Sequence, residues 1–297
     1  MKQKTKSFLF AVSAVFLWST VATAFKLSLK GLSYSQLLFY ASLTSTLVLL
    51  IFALHNSPQE LRDVFKGKYF FKNLLLGLIN PFAYYLVLFK AYSLLPAQEA
   101  QPLNYTWPIA IALMSSIFLK QKLTIRTIIG LLSAFLGVVI IATHGKVFSL
   151  SFHNTLGVIL ATGSSIIWAT FWILNLKDKS DSSVKLFAAF LFGCILSAVF
   201  ILLFDSFSVN SIEYMFGAVY VGLFEMGITF FLWMKGLQLS MDRAKTSTLA
   251  YLSPFISLIF IAIILKEKIL PSSILGLVFI VGGILYQHLE INKKSNI

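Results

Sequence analysis

Two stretches of the chain repeat one sparse pattern. Pro108, Lys120, Lys122, Gly130 and Gly137 recur as Pro254, Lys266, Lys268, Gly276 and Gly283, at a constant offset of 146. Each set spans two long apolar segments joined by a short basic loop, Lys120-Gln121-Lys122 in one and Lys266-Glu267-Lys268 in the other. Apolar segments align easily by chance, but five Pro, Lys and Gly positions at identical spacing do not. The chain reads as a doubled unit, with halves at 1–147 and 148–297.

The 297 residues are 58% hydrophobic and 12% charged, against roughly a quarter charged in soluble domains. A single globular core cannot hide that much apolar surface, so lipid must cover it. Spans of about 20 apolar residues are expected at 8–27, 33–54, 70–90, 97–119, 125–144, 155–175, 185–204, 214–235, 245–265 and 271–289. The expected fold is all-α and membrane-integral, with ten transmembrane helices. Short connections leave no room for a soluble domain.

The net charge of +13 does not point to nucleic acid, because the cations are scattered through loops. Placed on alternating sides, eighteen of the 24 lysines and arginines share the side of both termini. The positive-inside bias makes that side the cytoplasm and the membrane the inner one. Five spans per half is an odd number, so the halves should be inverted, a mark of secondary transporters. Ala22-Thr23-Ala24 resembles a signal cleavage site. A retained first span is preferred, since Trp18 and Thr20 have an echo in Trp168 and Thr170.

Matches also link Gly77, Leu78 and Lys90 to Gly222, Leu223 and Lys235. Small residues in spans 5 and 10 (Gly130, Ser133, Ala134, Gly137, Gly282, Gly283) suit close helix packing. No phosphate-binding Gly-x-x-x-x-Gly-Lys-Ser/Thr, His-Glu-x-x-His or Cys-x-x-Cys occurs. No metal or cofactor is expected. His55, His144, His153 and His288 fall near span ends, and Cys194 reads as a small buried hydrophobe.

Intramembrane polar groups are costly and therefore functional candidates. Glu225 is the one acidic residue near a span centre, and its repeat counterpart is Asn80, followed by Pro81. Glu225 would pair with a cationic group on a substrate or take up a proton; a hydrogen-bonded structural role is the alternative. Gln98, Glu99, Gln101 and Asn104 open span 4, where Glu99 suits either the helix dipole or a cavity. Arg243 and Lys245 at the start of span 9 read as positive-inside anchors. Trp18, Trp107 and Trp168 lie away from the interfacial belts, and with Tyr84, Tyr85, Tyr105 and Tyr251 they offer faces for flat or cationic ligands or for packing. Pro108 and Pro254 are expected to kink spans 4 and 9.

Trp18-Ser19-Thr20, Asn104-Tyr105-Thr106-Trp107-Pro108, and Tyr251-Leu252-Ser253-Pro254 with Lys266-Glu267-Lys268 together resemble the EamA-type drug/metabolite transporter superfamily. The Asn-Tyr-x-Trp-Pro stretch is similar to its aromatic-amino-acid exporter (YddG-type) branch. The resemblance covers nearly the whole chain. It implies two inverted five-span repeats, a central cavity between them, and export of amino acids or related metabolites. That family commonly ends spans 4 and 9 with Gly-Glu; here Glu267 follows Lys266, while Gln121 follows Lys120. In this the chain departs from the family's paired carboxylates.

The expectation is a monomer-sized secondary transporter in the lipid bilayer, working by alternating access on a small-molecule substrate. Trp18, Asn80, Tyr84, Trp107, Trp168, Glu225 and Tyr251 are the expected substrate-binding residues. Glu225 is the coupling candidate, and Pro108 and Pro254 are the hinges. An importer of choline-like or other cationic small molecules, an integral-membrane enzyme and a structural subunit are the alternatives.

Overall fold

A computed structural model describes residues 3–119, 125–148, 154–176, 182–209, 211–240, 246 and 248–288. The basic loop Lys120-Gln121-Lys122 and the pair Arg243 and Lys245 lie outside the described residues. So do Lys2, Lys177, Lys179, Lys293 and Lys294 of the charge count, and His153.

All regular structure among the described residues is helical. In chain order the helices are α1 (Gln3–Ser28), α2 (Tyr34–Asn56), α3 (Gly67–Gly77), α4 (Tyr84–Leu94), α5 (Ala97–Asn104), α6 (Trp107–Leu119), α7 (Ile125–Ala142), α8 (Thr155–Leu176), α9 (Ser182–Phe204), α10 (Glu213–Val221), α11 (Ile228–Leu239), α12 (Ser253–Ile264) and α13 (Pro271–His288). Among the described residues, seven helical stretches are long and apolar enough to cross a bilayer: Thr5–Ser28, Tyr34–Asn56, Tyr69–Leu94, Ile125–Ala142, Thr155–Leu174, Ser183–Phe204 and Glu213–Leu237. Leu249–Ile264 and Pro271–Tyr286 are apolar but shorter. Phe71 (71%), Leu202 (71%) and Phe216 (73%) remain exposed on the outside of the bundle. Side chains of this kind need lipid around them, and helices satisfy their own backbone there. The chain is a multi-pass membrane protein.

Local sequence explains the starts and breaks. Ser33 Oγ accepts the Gln36 N–H at 3.1 Å while Gln36 Oε1 accepts the Ser33 N–H at 3.0 Å, a reciprocal cap that starts α2. The stretch expected as one span at 97–119 is two pieces, α5 and α6, parted at Tyr105 and Thr106. A proline ring clashes with the carbonyl four residues earlier. For Pro108 that residue is Asn104, where α5 ends. Pro254 acts likewise: the 3₁₀ turn Thr248–Leu252 precedes α12, and Pro254 sits in its first turn. Each proline thus opens a helix, where its missing donor costs nothing, rather than bending one in its middle.

A second break was not expected. α3 and α4 form one rod through a π-helical segment, Leu78–Ala83, and α10 and α11 join through Gly222–Gly227. Asn80 is extended (φ −148°, ψ 121°), and Gly227 (φ −106°, ψ −91°) also leaves helical geometry. Asn80 and Glu225 therefore occupy equivalent interruptions in the two halves.

Packing crosses between the halves. α1 lies on α11 and α12, while α8 lies on α4 and α6; α2 packs on α9, and each packs on the other half's π segment. α7 and α13 meet most closely. A Cβ at Gly137 would stand 2.5 Å from the Gly276 carbonyl oxygen, and one at Gly283 would stand 2.6 Å from that of Gly130. Gly130 faces Gly283 and Gly137 faces Gly276, so these helices run antiparallel. Ser133 Oγ donates to the Phe279 carbonyl at 2.8 Å. Ser133 and Phe279 are themselves 146 apart, so this contact lies on the local two-fold axis relating the helices. Such a self-complementary arrangement characterises two-fold interfaces.

Candidate functional site

Three helical stripes and four single residues converge on one interior cavity. α1 contributes Trp18, Val21 and Phe25; α4 contributes Tyr84, Leu88 and Tyr92. Gln101, Asn104 and Tyr105 come from α5 and its end, and Trp107 opens α6. Trp168 enters from α8, Glu225 from the second π segment, and Ala250 from the turn before α12. Along α1 and α4 the spacing is three or four residues, and Asn104 and Tyr105 follow Gln101 by three and four, which places the side chains on one helix face. The cavity measures about 80 Å³, room for a handful of waters at about 10–15 Å³ each on this measure. A larger substrate has to widen it. An apolar groove of about 420 Å³ between α6, α7 and α8 is separate and faces outward.

Trp18 and Trp168, on counterpart helices α1 and α8, flank the cavity. Trp168 tilts over Tyr84 with ring centres 4.7 Å apart, and Phe230 lies against both Trp168 and Trp18 at 5.8 and 6.1 Å. These ring contacts hold the two tryptophans in the cavity wall.

Glu225 is held by Tyr85, whose hydroxyl donates to Oε1 at 3.1 Å. Its Oε2 has no partner among the described residues, and neither has Gln101 Oε1. Three further polar lining groups have partners of their own. Tyr84 donates to Asn104 Oδ1 at 3.3 Å, Asn104 Nδ2 donates to Ser164 at 2.8 Å, and Tyr105 donates to the Ala250 carbonyl at 3.4 Å.

Beyond Phe25 and Tyr92 the helix ends on the side away from the chain's start are tied together. Lys26 Nζ donates to the Tyr92 and Leu95 carbonyls at 2.9 and 3.0 Å. The Glu267 carboxylate accepts the Ala97 and Gln98 N–H groups at 3.1 and 3.3 Å, capping α5. Gln98 Nε2 donates to the Lys268 carbonyl, and its Oε1 accepts from the Leu270 N–H and the Ser273 hydroxyl. His144 Nε2 pairs with Glu99 at 2.8 Å.

Of the expected binding residues, Trp18, Tyr84, Trp107, Trp168 and Glu225 line this cavity. Asn80 and Tyr251 do not. Asn80 is fully buried in a segment packed on α8 and α9, with both side-chain polar atoms unpartnered among the described residues. Tyr251 is buried beside the lining residue Ala250. Gln101, Asn104 and Tyr105 also belong to the lining; the sequence reads Gln101 and Asn104 as polar residues opening span 4 and Tyr105 as one of the aromatic faces, outside the expected binding set. Their i, i+3, i+4 spacing was the available signal. Tyr85 was legible only as one of several aromatics, since its partner lies 140 residues away.

The model of the EamA-like transporter family matches residues 5–143 and 155–286. An uncharacterized transporter, YdfC of Bacillus subtilis, is 27% identical, with 100% of this chain and 96% of that protein covered. The aromatic amino acid exporter YddG of Ancylobacter novellus is 26% identical over 70% of this chain and 72% of its own length. A solved crystal structure, at 22% identity, superposes with a TM-score of 0.68 and covers 97% of this chain and 98% of its own; it shares the fold.

Proposed function

Because the chain belongs to the EamA-like transporter family, we propose that it is a secondary transporter moving amino acids or related small metabolites outward by alternating access. It works as a monomer of ten spans in two inverted repeats, 1–147 and 148–297, in the inner membrane, with both termini cytoplasmic. The two shorter apolar helices and the broken rod of α5 and α6 bring the seven long spans to that number. The antiparallel contact of α7 with α13 supports the inversion.

One observation carries the reading: a single cavity takes its walls from both repeats and holds an acidic side chain among aromatic rings. In inverted-repeat transporters the substrate site lies at the repeat interface, beside interrupted helices. Glu225 sits in such an interruption. It is the group for charge recognition or proton coupling, and Trp18, Tyr84, Trp107 and Trp168 are the walls. Asn80 and Tyr251 contribute from just behind the lining. Pro108 and Pro254, at equivalent breaks, are the hinges. The YddG relative, named an aromatic amino acid exporter, supports outward flux and the amino-acid class. The family is one of transporters, so the membrane-enzyme alternative falls away.

Purified protein in liposomes, loaded in turn with labelled amino acids, tests this. Efflux down an imposed gradient is expected, with Glu225→Gln lowering it more than tenfold while the protein still folds, as expected for a group whose loss removes about 1.4 kcal/mol or more of recognition. Inward flux of a choline-like cation without amino-acid efflux would replace the proposal with the importer reading. Absence of any flux would favour a structural subunit.

A further inference from the structure

We infer that Gln101 and Glu225 form a two-acceptor clasp that selects ligands bearing N–H donors on a cationic nitrogen, namely protonated primary amines, over quaternary ammonium ions of the same shape. The inference rests on the cavity being the substrate site.

Gln101 and Glu225 reach the cavity from opposite halves and are 4% and 9% exposed. Each turns one oxygen, Gln101 Oε1 and Glu225 Oε2, that meets no donor among the described residues. The second Glu225 oxygen is already occupied by Tyr85. The Tyr84 and Tyr105 hydroxyls and one hydrogen of the Asn104 amide are donated elsewhere. The lining therefore has unmet acceptor capacity at two points.

A buried acceptor without a donor costs about 1–3 kcal/mol. An ammonium group supplies three N–H donors and meets both acceptors while its charge faces the carboxylate. A trimethylammonium group carries the same charge and satisfies the aromatic walls through cation–π attraction, yet it offers neither acceptor a hydrogen. Sites built to hydrogen-bond a ligand reject the analogue that lacks the donor, because the site's own polar groups stay unpaired. The aromatic rings of Trp18, Trp107 and Trp168 do not make this distinction; Gln101 does.

Calorimetric titration of the protein in nanodiscs with phenethylamine, its N,N,N-trimethyl analogue and phenethyl alcohol tests the clasp. Wild-type protein is expected to bind the primary ammonium at least about tenfold tighter than the trimethyl ion, tenfold corresponding to 1.4 kcal/mol. Gln101→Leu should weaken the primary ammonium by about tenfold and leave the trimethyl ion nearly unchanged, so that the preference collapses. Gln101→Met serves if the leucine variant does not fold. Equal binding of the two ammonium ions by wild-type protein overturns the clasp and leaves the cavity reading in place. So does a preference that survives removal of the Gln101 amide. Folded wild-type protein that binds none of the three probes overturns the cavity as substrate site, and the clasp with it.

Discussion

The Tyr85 hydroxyl donates to Glu225 Oε1 across the boundary between the two halves, at 3.1 Å and over 140 residues of chain. Tyr85 stands just after the first π segment and Glu225 within the second. The two interrupted rods are thus joined at the cavity wall. The bond holds one carboxylate oxygen and leaves the other, Oε2, buried without a donor among the described residues.

Tyr85→Phe removes that donor and almost nothing else. A buried carboxylate that loses a hydrogen bond loses about 1–3 kcal/mol. Proteoliposome efflux is expected to fall roughly tenfold, with the fold retained. The double variant with Glu225→Gln should be no worse than Glu225→Gln alone, because coupled residues are not additive. Wild-type flux in Tyr85→Phe would mean that the bond does not position Glu225.

The glycine contacts of α7 and α13 give a graded prediction. Gly137→Val and its repeat counterpart Gly283→Val each drive a side chain into the facing carbonyl and should destabilise the protein by about 1–3 kcal/mol, as overpacking does. The local two-fold symmetry predicts similar losses for the pair. A Cβ at Gly282 meets nothing within 4 Å. Gly282→Ala should be neutral or gain about 0.5–1 kcal/mol from the stiffer helix. Thermal unfolding in detergent checks all three.

The doubled unit and most apolar spans were legible because lipid imposes a length and a composition on every spanning helix. The Gly130, Gly137, Gly276 and Gly283 repeat also gave the close packing of spans 5 and 10. Rods 3 and 8 hid their breaks. Nothing in the local sequence around Glu225 announces a π segment, and Asn80 reads as a polar residue before a proline rather than as an extended one. The site was legible where a costly residue stood in an apolar run, as with Glu225 and Trp168. It was not legible for Tyr85, whose role depends on a partner in the other half, or for Gln101, whose surroundings suggest a helix start. Asn80 was expected among the binding residues as the repeat counterpart of Glu225. The packing of its segment on α8 and α9 puts it outside the lining.

Asp205 supplies a pH dependence away from the membrane-spanning segments. Partial burial acts to raise its carboxyl, but hydrogen bonds from the Ser33 and Ser35 hydroxyls and the Ser206 N–H prevail and hold it below the usual carboxylate range. These bonds tie the start of α2 to the end of α9. A lowered folded-state value means the stabilisation is fully present above the unfolded-state value of about 4 and is lost as pH falls through the folded one. Wild-type protein should be more heat-stable than Asp205→Asn at neutral pH, by a small margin given solvent screening. The margin should vanish in acid. A difference that persists at low pH would assign the effect to packing.

Glu267 holds the start of α5 against the loop before α13, on the far side of Phe25 and Tyr92 from the cavity. Its carboxylate is the only side-chain partner of the Ala97 and Gln98 N–H groups among the described residues. Gln121, the equivalent residue of the first half, carries no charge and lies outside the described residues. Losing a cap such as Glu267 costs a helix about 0.5–2 kcal/mol, with the cost falling on the closed arrangement. Glu267→Ala should therefore shift the balance toward opening on that side, by about fivefold for 1 kcal/mol. Val21→Cys, placed in the cavity wall in a Cys194→Ser background, reports this through its labelling rate with a membrane-impermeant maleimide. The rate is expected to rise about fivefold in the Glu267→Ala protein, and Glu267→Asp should restore much of the closure. An unchanged rate would leave Glu267 as a helix cap with no part in closing the cavity.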